Sequence, residues 1–294
     1  MKTKILITGA KGQLAKTINN LYSNNTDNLE FVFASKADLD ITNKDQVLSF
    51  FNKHEFDYCV NCAAYTNVEQ SELQPDLAHE VNVEAVKTLA EVCENNNIIL
   101  IHISTDYVFD GETNKPYAEE DETNPINEYG KSKLAGEQAI KDVLSRYFII
   151  RTSWLYSSYG KNFVKTIIGK IETNSDLNIT TSQTGTPTSC EELSKFIVFL
   201  MKTNSNAFGV YHYSSQGETN WYEFALEITE HFSFYNKQKI KPTETFITKA
   251  KRPKFSVLSN NKANQIFEKR NSWKYHVNQT VKNILETTKN SNNF

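Results

Sequence analysis

A buried strand that runs straight into a glycine turn and then a helix constrains this chain more than any other feature. Lys4-Ile5-Leu6-Ile7-Thr8 is an apolar run of strand length, and Gly9-Ala10-Lys11-Gly12-Gln13-Leu14-Ala15 follows without a gap, opening helical character to about residue 24. Gly9 permits a tight turn, Gly12 lets the backbone approach a pyrophosphate, and Ala15 is small enough for close helix-to-strand packing. The helix N-terminus adds N–H groups and the positive end of a dipole. The spacing G-x-x-G-x-x-A departs from the G-x-G-x-x-G of simple dehydrogenases, so its weight comes from the strand before it and the helix after it.

Strand signals recur near 4–8, 31–34, 58–64, 98–105 and 147–153, separated by helical connectors such as 43–53, 75–95 and 127–145. Such alternation predicts an α/β fold with a parallel sheet covered by helices on both faces. Right-handed crossovers would bring the glycine turn and residues 104–107 to one edge of that sheet. Beyond Trp154 the pattern is less regular. Helices are expected over 162–171, 190–202 and 221–232, a strand over 209–213, a closing helix near 277–287 and frayed residues at 289–294. The polar, asparagine-rich last third predicts a small lobe over the cofactor.

The second strand ends at Ser35 and Lys36. In a dinucleotide-binding fold this point meets the adenosine ribose, where a carboxylate would serve NAD. A hydroxyl and an ammonium instead suit the extra phosphate of NADP, although Asp38 and Asp40 follow closely.

The second chemical signal is a strand-like run ending Ser104-Thr105-Asp106-Tyr107, with Tyr129-Gly130-Lys131-Ser132-Lys133 on a helix. Tyr129 and Lys133 stand four apart, so they share a helix face with Cβ atoms about 5–6 Å apart. A lysine there is expected to lower the phenol's pKa toward the range of general acid–base work, and the Thr105 hydroxyl could bond the same substrate oxygen. Alone, Y-x-x-x-K also describes an ordinary exposed helix face, and the glycine turn is what gives it meaning.

With 294 residues and a formal net charge of -3, the chain can bury a large core and offers no electrostatic case for nucleic acid or an anionic membrane surface. No apolar run approaches the roughly 18 residues of a membrane span and no charged-then-apolar leader is visible, so a cytoplasmic enzyme is expected. Four scattered cysteines, Cys59, Cys62, Cys93 and Cys190, do not make a disulfide framework. Cys59 and Cys62 have metal-pair spacing, but on a strand they point to opposite faces and are expected to pack in the core. His102, inside an apolar strand, reads as a core residue or a support beneath the site.

These segments together resemble the extended short-chain dehydrogenase/reductase superfamily and, within it, the dTDP-4-dehydrorhamnose reductases. The likeness covers most of the chain. It rests on I-L-I-T-G-A-K-G-Q at 5–13, D-L-D-I-T at 38–42, N-C-A-A-Y-T-N-V-E-Q at 61–70, S-T-D-Y-V-F-D-G at 104–111, Y-G-K-S-K-L-A-G-E at 129–137 and R-T-S-W-L-Y at 151–156. Later come G-T-P-T at 185–188, residues 209–212 and A-K-R-P at 250–253.

The resemblance implies a Rossmann-type, doubly wound, seven-stranded and mostly parallel sheet with a smaller C-terminal substrate lobe. Residues 1–153 and about 188–213 would form the NADP-binding domain, and about 154–187 and 214–294 the lobe. It implies Thr105, Tyr129 and Lys133 as catalytic positions. Asp106, Tyr107 and Trp154 would face the sugar, and Arg252, with its forked cation, the nucleotide diphosphate. Gly12, Gln13, Leu14, Asp40, Ala63, Ala64 and Tyr65 would join Gly9, Ser35, Lys36, Tyr129 and Lys133 in holding the cofactor, NADPH with NADH as second choice. Ser157 and Ser182 depart from the family pattern, so the lobe is expected to differ in shape. Some members are metal-bridged dimers through an acid on the first helix. Here Lys16 and Thr17 stand in that region, so no metal is expected, and a homodimer is left open.

The implied reaction is hydride transfer from NADPH to the C4 ketone of a dTDP-4-keto-6-deoxyhexose, with Tyr129 as proton donor. Lys133 would also bond the nicotinamide ribose. Two rivals stand beside it. A non-catalytic NADP-binding regulatory subunit is disfavoured by the intact Thr105, Tyr129 and Lys133 set. An epimerase or dehydratase cycling tightly held NAD is disfavoured by Ser35 and Lys36.

Overall fold

The computed structural model describes residues 2–24, 28–245, 247–267 and 271–291. Six strands form its main sheet: β1 (Thr3–Thr8), β2 (Leu29–Ala34), β3 (Tyr58–Asn61), β4 (Ile99–Thr105), β5 (Tyr147–Thr152) and β6 (Gly209–His212). Their order is β6-β5-β4-β3-β1-β2, and every pairing is parallel. The chain therefore winds outward twice from β1, and the reversal between β1 and β3 opens a crevice at the carboxyl ends of the strands, where such sheets bind ligands.

Side-chain alternation builds two cores on the two faces. Ile5, Ile7, Val60, Ile101 and Ile150 face α1 (Gln13–Tyr22) and the helix Cys190–Lys202. Leu6, Cys59, Leu100 and Ile149 face the helices α2 (Lys44–Lys53), α3 (Ala85–Asn95) and α4 (Glu128–Val143). Burial on both sides explains why the strands read as continuous apolar runs. Cys59 and Cys62 do pack on opposite faces, and burial pushes the Cys62 thiol up to about 12.

The main sheet has six strands among the described residues, not seven. The outer edge of β6 is occupied by side chains: Lys262 Nζ donates to the Val210 carbonyl at 2.7 Å, and the His212 N–H donates to Glu119 Oε1 at 2.8 Å. The late strand Ile240–Thr243 pairs instead with Leu177–Thr180. β3 ends at Asn61, three residues earlier than expected, where its pairing with both β1 and β4 stops.

The expected helix over 75–95 is continuous but widened: Pro75–His79 passes through a π turn, Glu80–Glu84, into α3. Asn82 in that turn receives the Tyr65 N–H at 2.9 Å and donates to the Tyr65 carbonyl at 3.0 Å and to Ser132 Oγ at 2.9 Å. Its carbonyl lies where a Cβ on Gly136 would have to go, so the widened turn and that glycine set the approach of α4. A third core draws on residues 154–285, from the helices Phe163–Glu172, Trp221–Thr229 and Trp273–Ser291. The closing helix is longer than expected, and residues 292–294 of the segment expected to fray lie outside the described residues.

Candidate active site

Gly9 takes φ +66°, and an added Cβ would stand 2.8 Å from Ala63 N, so only glycine lets the first turn press against the end of β3. Gly12 is the N-cap of α1, and no side chain caps that helix. The first-turn N–H groups are therefore offered to a ligand, an arrangement that suits a pyrophosphate. Gln13 carries the turn to the far side of the cleft: its Nε2 donates to the Leu155 carbonyl at 3.1 Å, and its Oε1 accepts from Asn162 Nδ2 at 3.3 Å and Ser157 Oγ at 3.4 Å.

From this turn a cleft of about 590 Å³ runs across the sheet end, lined by Gly12, Gln13, Leu14, Ala64, Thr105, Asp106, Tyr107, Tyr129, Lys133, Trp154 and Arg252. These predicted residues are thus brought together. Gly9 and Ala63 form the turn beneath, and Tyr65 is tied to Asn82 nearby. Ser35, Lys36 and Asp40 lie off the lining, and local acids engage them. Ser35 donates through N and Oγ to Asp38 Oδ2 at 2.9 and 2.7 Å, and Lys36 pairs with Asp40 at 3.4 Å. The Ser35 bonds hold the Asp38 carboxyl below its ordinary range.

α4 starts at Asn127, whose Oδ1 accepts the Gly130 N–H at 2.8 Å and whose Nδ2 donates to the Lys251 carbonyl at 2.8 Å. One side chain thereby caps the helix that bears Tyr129 and Lys133 and fixes the segment that leads to Arg252. A Cβ on Gly130 would collide with the Tyr107 carbonyl, so α4 sits directly on the turn after β4. In that turn Thr105 Oγ1 receives the Tyr107 N–H at 3.2 Å and donates to Asp106 Oδ1 at 3.0 Å.

Burial governs the electrostatics. It pushes Tyr129 above its ordinary value, opposed by the Thr105 hydroxyl, and it lowers Lys133 to about 8 against the pull of Glu137. The Tyr129 phenol therefore stands above its ordinary value, not below it as expected. Lys133 Nζ donates to the Ile103 carbonyl at 2.7 Å and meets His102 Nε2 at 3.0 Å. A phenol that keeps its proton is the form a reduction needs as donor. Burial also raises Asp106 to about 6, and its Oδ2 has no hydrogen-bond partner.

Trp154 adopts φ +45°, rare for a bulky residue, and stacks on Trp221 with centroids 3.7 Å apart. The Trp154 indole also lies where a Cβ on Gly185 would go, 2.6 Å away. Arg252 donates to Glu69 at 2.9 Å and to the Tyr107 hydroxyl at 3.2 Å, while its buried Nε has no partner. Sequence reasoning passed over Trp221, Glu69 and Asn61. Asn61 and Glu69 lie inside the motif at 61–70, and Trp221 follows an Asn220 N-cap whose side chain accepts from Glu223, which marks only a helix start. Ser157 bonds Gln13, and Ser182 bonds Thr180 at 2.8 Å.

The family model described as RmlD substrate binding domain matches residues 3–286. A dTDP-4-dehydrorhamnose reductase of Aggregatibacter actinomycetemcomitans is 35% identical over 90% of this chain and 93% of its own. A dTDP-4-keto-6-deoxy-D-glucose reductase of Streptomyces niveus is 38% identical over 76% and 77%. The crystal structure of a Bacillus anthracis dTDP-4-dehydrorhamnose reductase in complex with NADP superposes with a TM-score of 0.90 at 36% identity, covering 95% of this chain and 99% of that one. With the glycine turn, the Tyr129 and Lys133 helix face and the two-walled cleft in place, the chain belongs to the RmlD family of dTDP-4-dehydrorhamnose reductases.

Proposed function

We propose that this protein reduces the C4 ketone of dTDP-4-dehydrorhamnose with NADPH, giving dTDP-L-rhamnose. The observation that carries the reading is the meeting of Thr105, Tyr129 and Lys133 on the floor of a cleft that begins at an uncapped helix N-terminus. That N-terminus and the Gly9 cradle fit a dinucleotide pyrophosphate, with Gln13, Leu14 and Ala64 alongside. When bound, NADPH supplies the hydride. Tyr129 gives its proton to the ketone oxygen, Thr105 orients that oxygen, and Lys133 reaches the nicotinamide ribose. Trp154 and Tyr107 face the sugar, and Arg252 faces the diphosphate.

The NADP complex of the Bacillus anthracis relative supports NADPH, with NADH as second choice. A role for Ser35 and Lys36 at the 2′-phosphate requires them to leave Asp38 and Asp40, since both are engaged locally. The division into a dinucleotide domain (1–153 and about 188–213) and a lobe (about 154–187 and 214–294) agrees with the separate core of the latter. Among the described residues no helix is long and apolar enough to cross a membrane. A cytoplasmic site follows from the reaction, whose nucleotide sugar and reduced cofactor are cytoplasmic metabolites.

The Streptomyces niveus relative favours a second reading in which the ketone belongs to another dTDP-4-keto-6-deoxysugar. The deciding experiment is NADPH consumption with dTDP-4-keto-6-deoxy-L-lyxo-hexose and identification of the product by NMR. Turnover to dTDP-L-rhamnose establishes the first reading. NADPH binding with turnover only on a different keto-sugar establishes the second.

A further inference from the structure

Beneath Lys133 lies a chain of hydrogen bonds whose direction can be read from one end. The Ala63 N–H donates to Thr8 Oγ1 at 3.2 Å, which leaves the Thr8 hydroxyl to donate to Asn61 Oδ1 at 2.7 Å. The same Ala63 N–H also approaches Asn61 Oδ1 at 3.2 Å. Two donors converge there, so the amide presents its oxygen to them and its NH2 to His102 Nδ1, 3.1 Å away. An NH2 group only donates. His102 Nδ1 must therefore accept, and the proton of the neutral ring sits on Nε2. The ring is neutral because burial, followed by the Lys133 charge, holds its pKa well below the ordinary value.

His102 Nε2–H then points at Lys133 Nζ, 3.0 Å away. An ammonium has three donors and no acceptor, so only the free amine can receive this bond. The bond from Nζ to the Ile103 carbonyl is available to either form. Other titratable groups around the lysine are Glu137, one turn on in α4 and paired with Arg151 of β5 at 2.8 Å, and, sharing the cleft lining with it, Tyr129 one turn back, Asp106 and Tyr107 after β4, and the Cys62 thiol after β3. Among these the Glu137 carboxylate, already shared with Arg151, exerts the main pull toward the ammonium.

We propose that Asn61 and His102 are positioning residues that set the charge of Lys133, favouring its amine form in the open cleft and thereby fixing the alkaline limit of turnover. The inference rests on the reductase reading above for its catalytic consequence, but not for its structural content. To charge Lys133, the chain must give up the Asn61 to His102 bond or move the ring proton to Nδ1.

The first test is long-range 1H–15N correlation on 15N-histidine-labelled protein without cofactor, with His102 assigned by the signal missing from His102→Gln. A neutral ring carrying its proton on Nε2 is expected at pH 9, where Lys133 is the free amine. A proton on Nδ1, or a charged ring, overturns the proposal. The second test is Asn61→Asp, which still accepts from Thr8 and Ala63 but draws a proton to His102 Nδ1 and turns Nε2 into an acceptor for the ammonium. The alkaline limb of kcat/KM should rise by about one pH unit, and an unchanged limb overturns the proposal. If Asn61→Asp does not fold, the wild-type nitrogen spectrum still decides. Failure of the reductase reading shows separately, as absence of keto-sugar-dependent NADPH consumption by the wild-type protein, and leaves the spectrum untouched.

Discussion

Burial acts on Tyr129, Lys133 and Asp106 alike by disfavouring their charged forms, and the consequences differ with the job of each. Tyr129 keeps its proton, as a donor must. Tyr129→Phe is expected to lower kcat by about 10²–10⁴-fold while NADPH affinity, read by fluorescence titration, stays near wild type because the glycine turn is untouched. Near-normal turnover would remove Tyr129 from the mechanism. Asp106 shows the same physics as a stability effect. Its carboxyl is raised from 3.8 to about 6 on folding, so its contribution is fully present below pH 3.8 and is lost as the pH climbs through 6. Asp106→Asn removes that titration. The variant should gain stability over wild type on going from pH 4 to pH 7.5, by no more than about 3 kcal/mol. Thermal melts across that range check it, and a constant difference at all pH values would contradict the assignment.

At the scale of elements, α4 carries the proposed proton donor Tyr129 and Lys133, and its position is set by contacts at its two glycines. Gly130→Ala places a methyl on the Tyr107 carbonyl and must push the helix from the turn that holds Thr105. A loss of about 1–3 kcal/mol is expected, with kcat falling further than the melting temperature alone would suggest; a fully active, fully stable variant would show that the junction has slack. How far such features were legible in the sequence depends on how local they are. The helix face shared by Tyr129 and Lys133 needs only a spacing of four, and the glycine turn needs only its neighbours. The partner of Lys133 is different: His102 lies 31 residues away and meets it only because α4 packs across β4. The π turn at 80–84 was hidden because its helical pattern is continuous, and the missing seventh strand because Lys262 and Glu119 close the β6 edge from distant segments. Ser35 and Lys36 suit a phosphate by residue type, and the nearness of Asp38 and Asp40 is visible in the sequence, but that these acids, three and four residues on, already engage them is visible only in the fold.

Across the whole molecule, the cleft is closed by bonds between the first half of the chain and its second half. Gln13 bonds the Leu155 carbonyl, Asn127 bonds the Lys251 carbonyl, and Glu69 pairs with Arg252. Burial alone would raise Glu69, yet Arg252 holds its carboxyl below the ordinary range, so the pair is ionised and attractive. Arg252 nevertheless retains a buried Nε with no partner, and its two bonded nitrogens leave the fork incompletely satisfied. A diphosphate could occupy that fork with two parallel bonds, which a lysine cannot match. Arg252→Lys should therefore keep the charge and lose the geometry. The KM for the sugar nucleotide is expected to rise about tenfold in Arg252→Lys and about 10- to 100-fold in Arg252→Ala, the range of one to two charge-assisted bonds, with kcat and NADPH affinity little changed. Steady-state kinetics with each substrate varied separately checks this. If KM for NADPH rises instead, Arg252 serves the dinucleotide and the two ends of the cleft have been assigned the wrong way round. If neither KM moves, the arginine acts only through Glu69, and Glu69→Gln should then reproduce any loss of stability seen in Arg252→Ala.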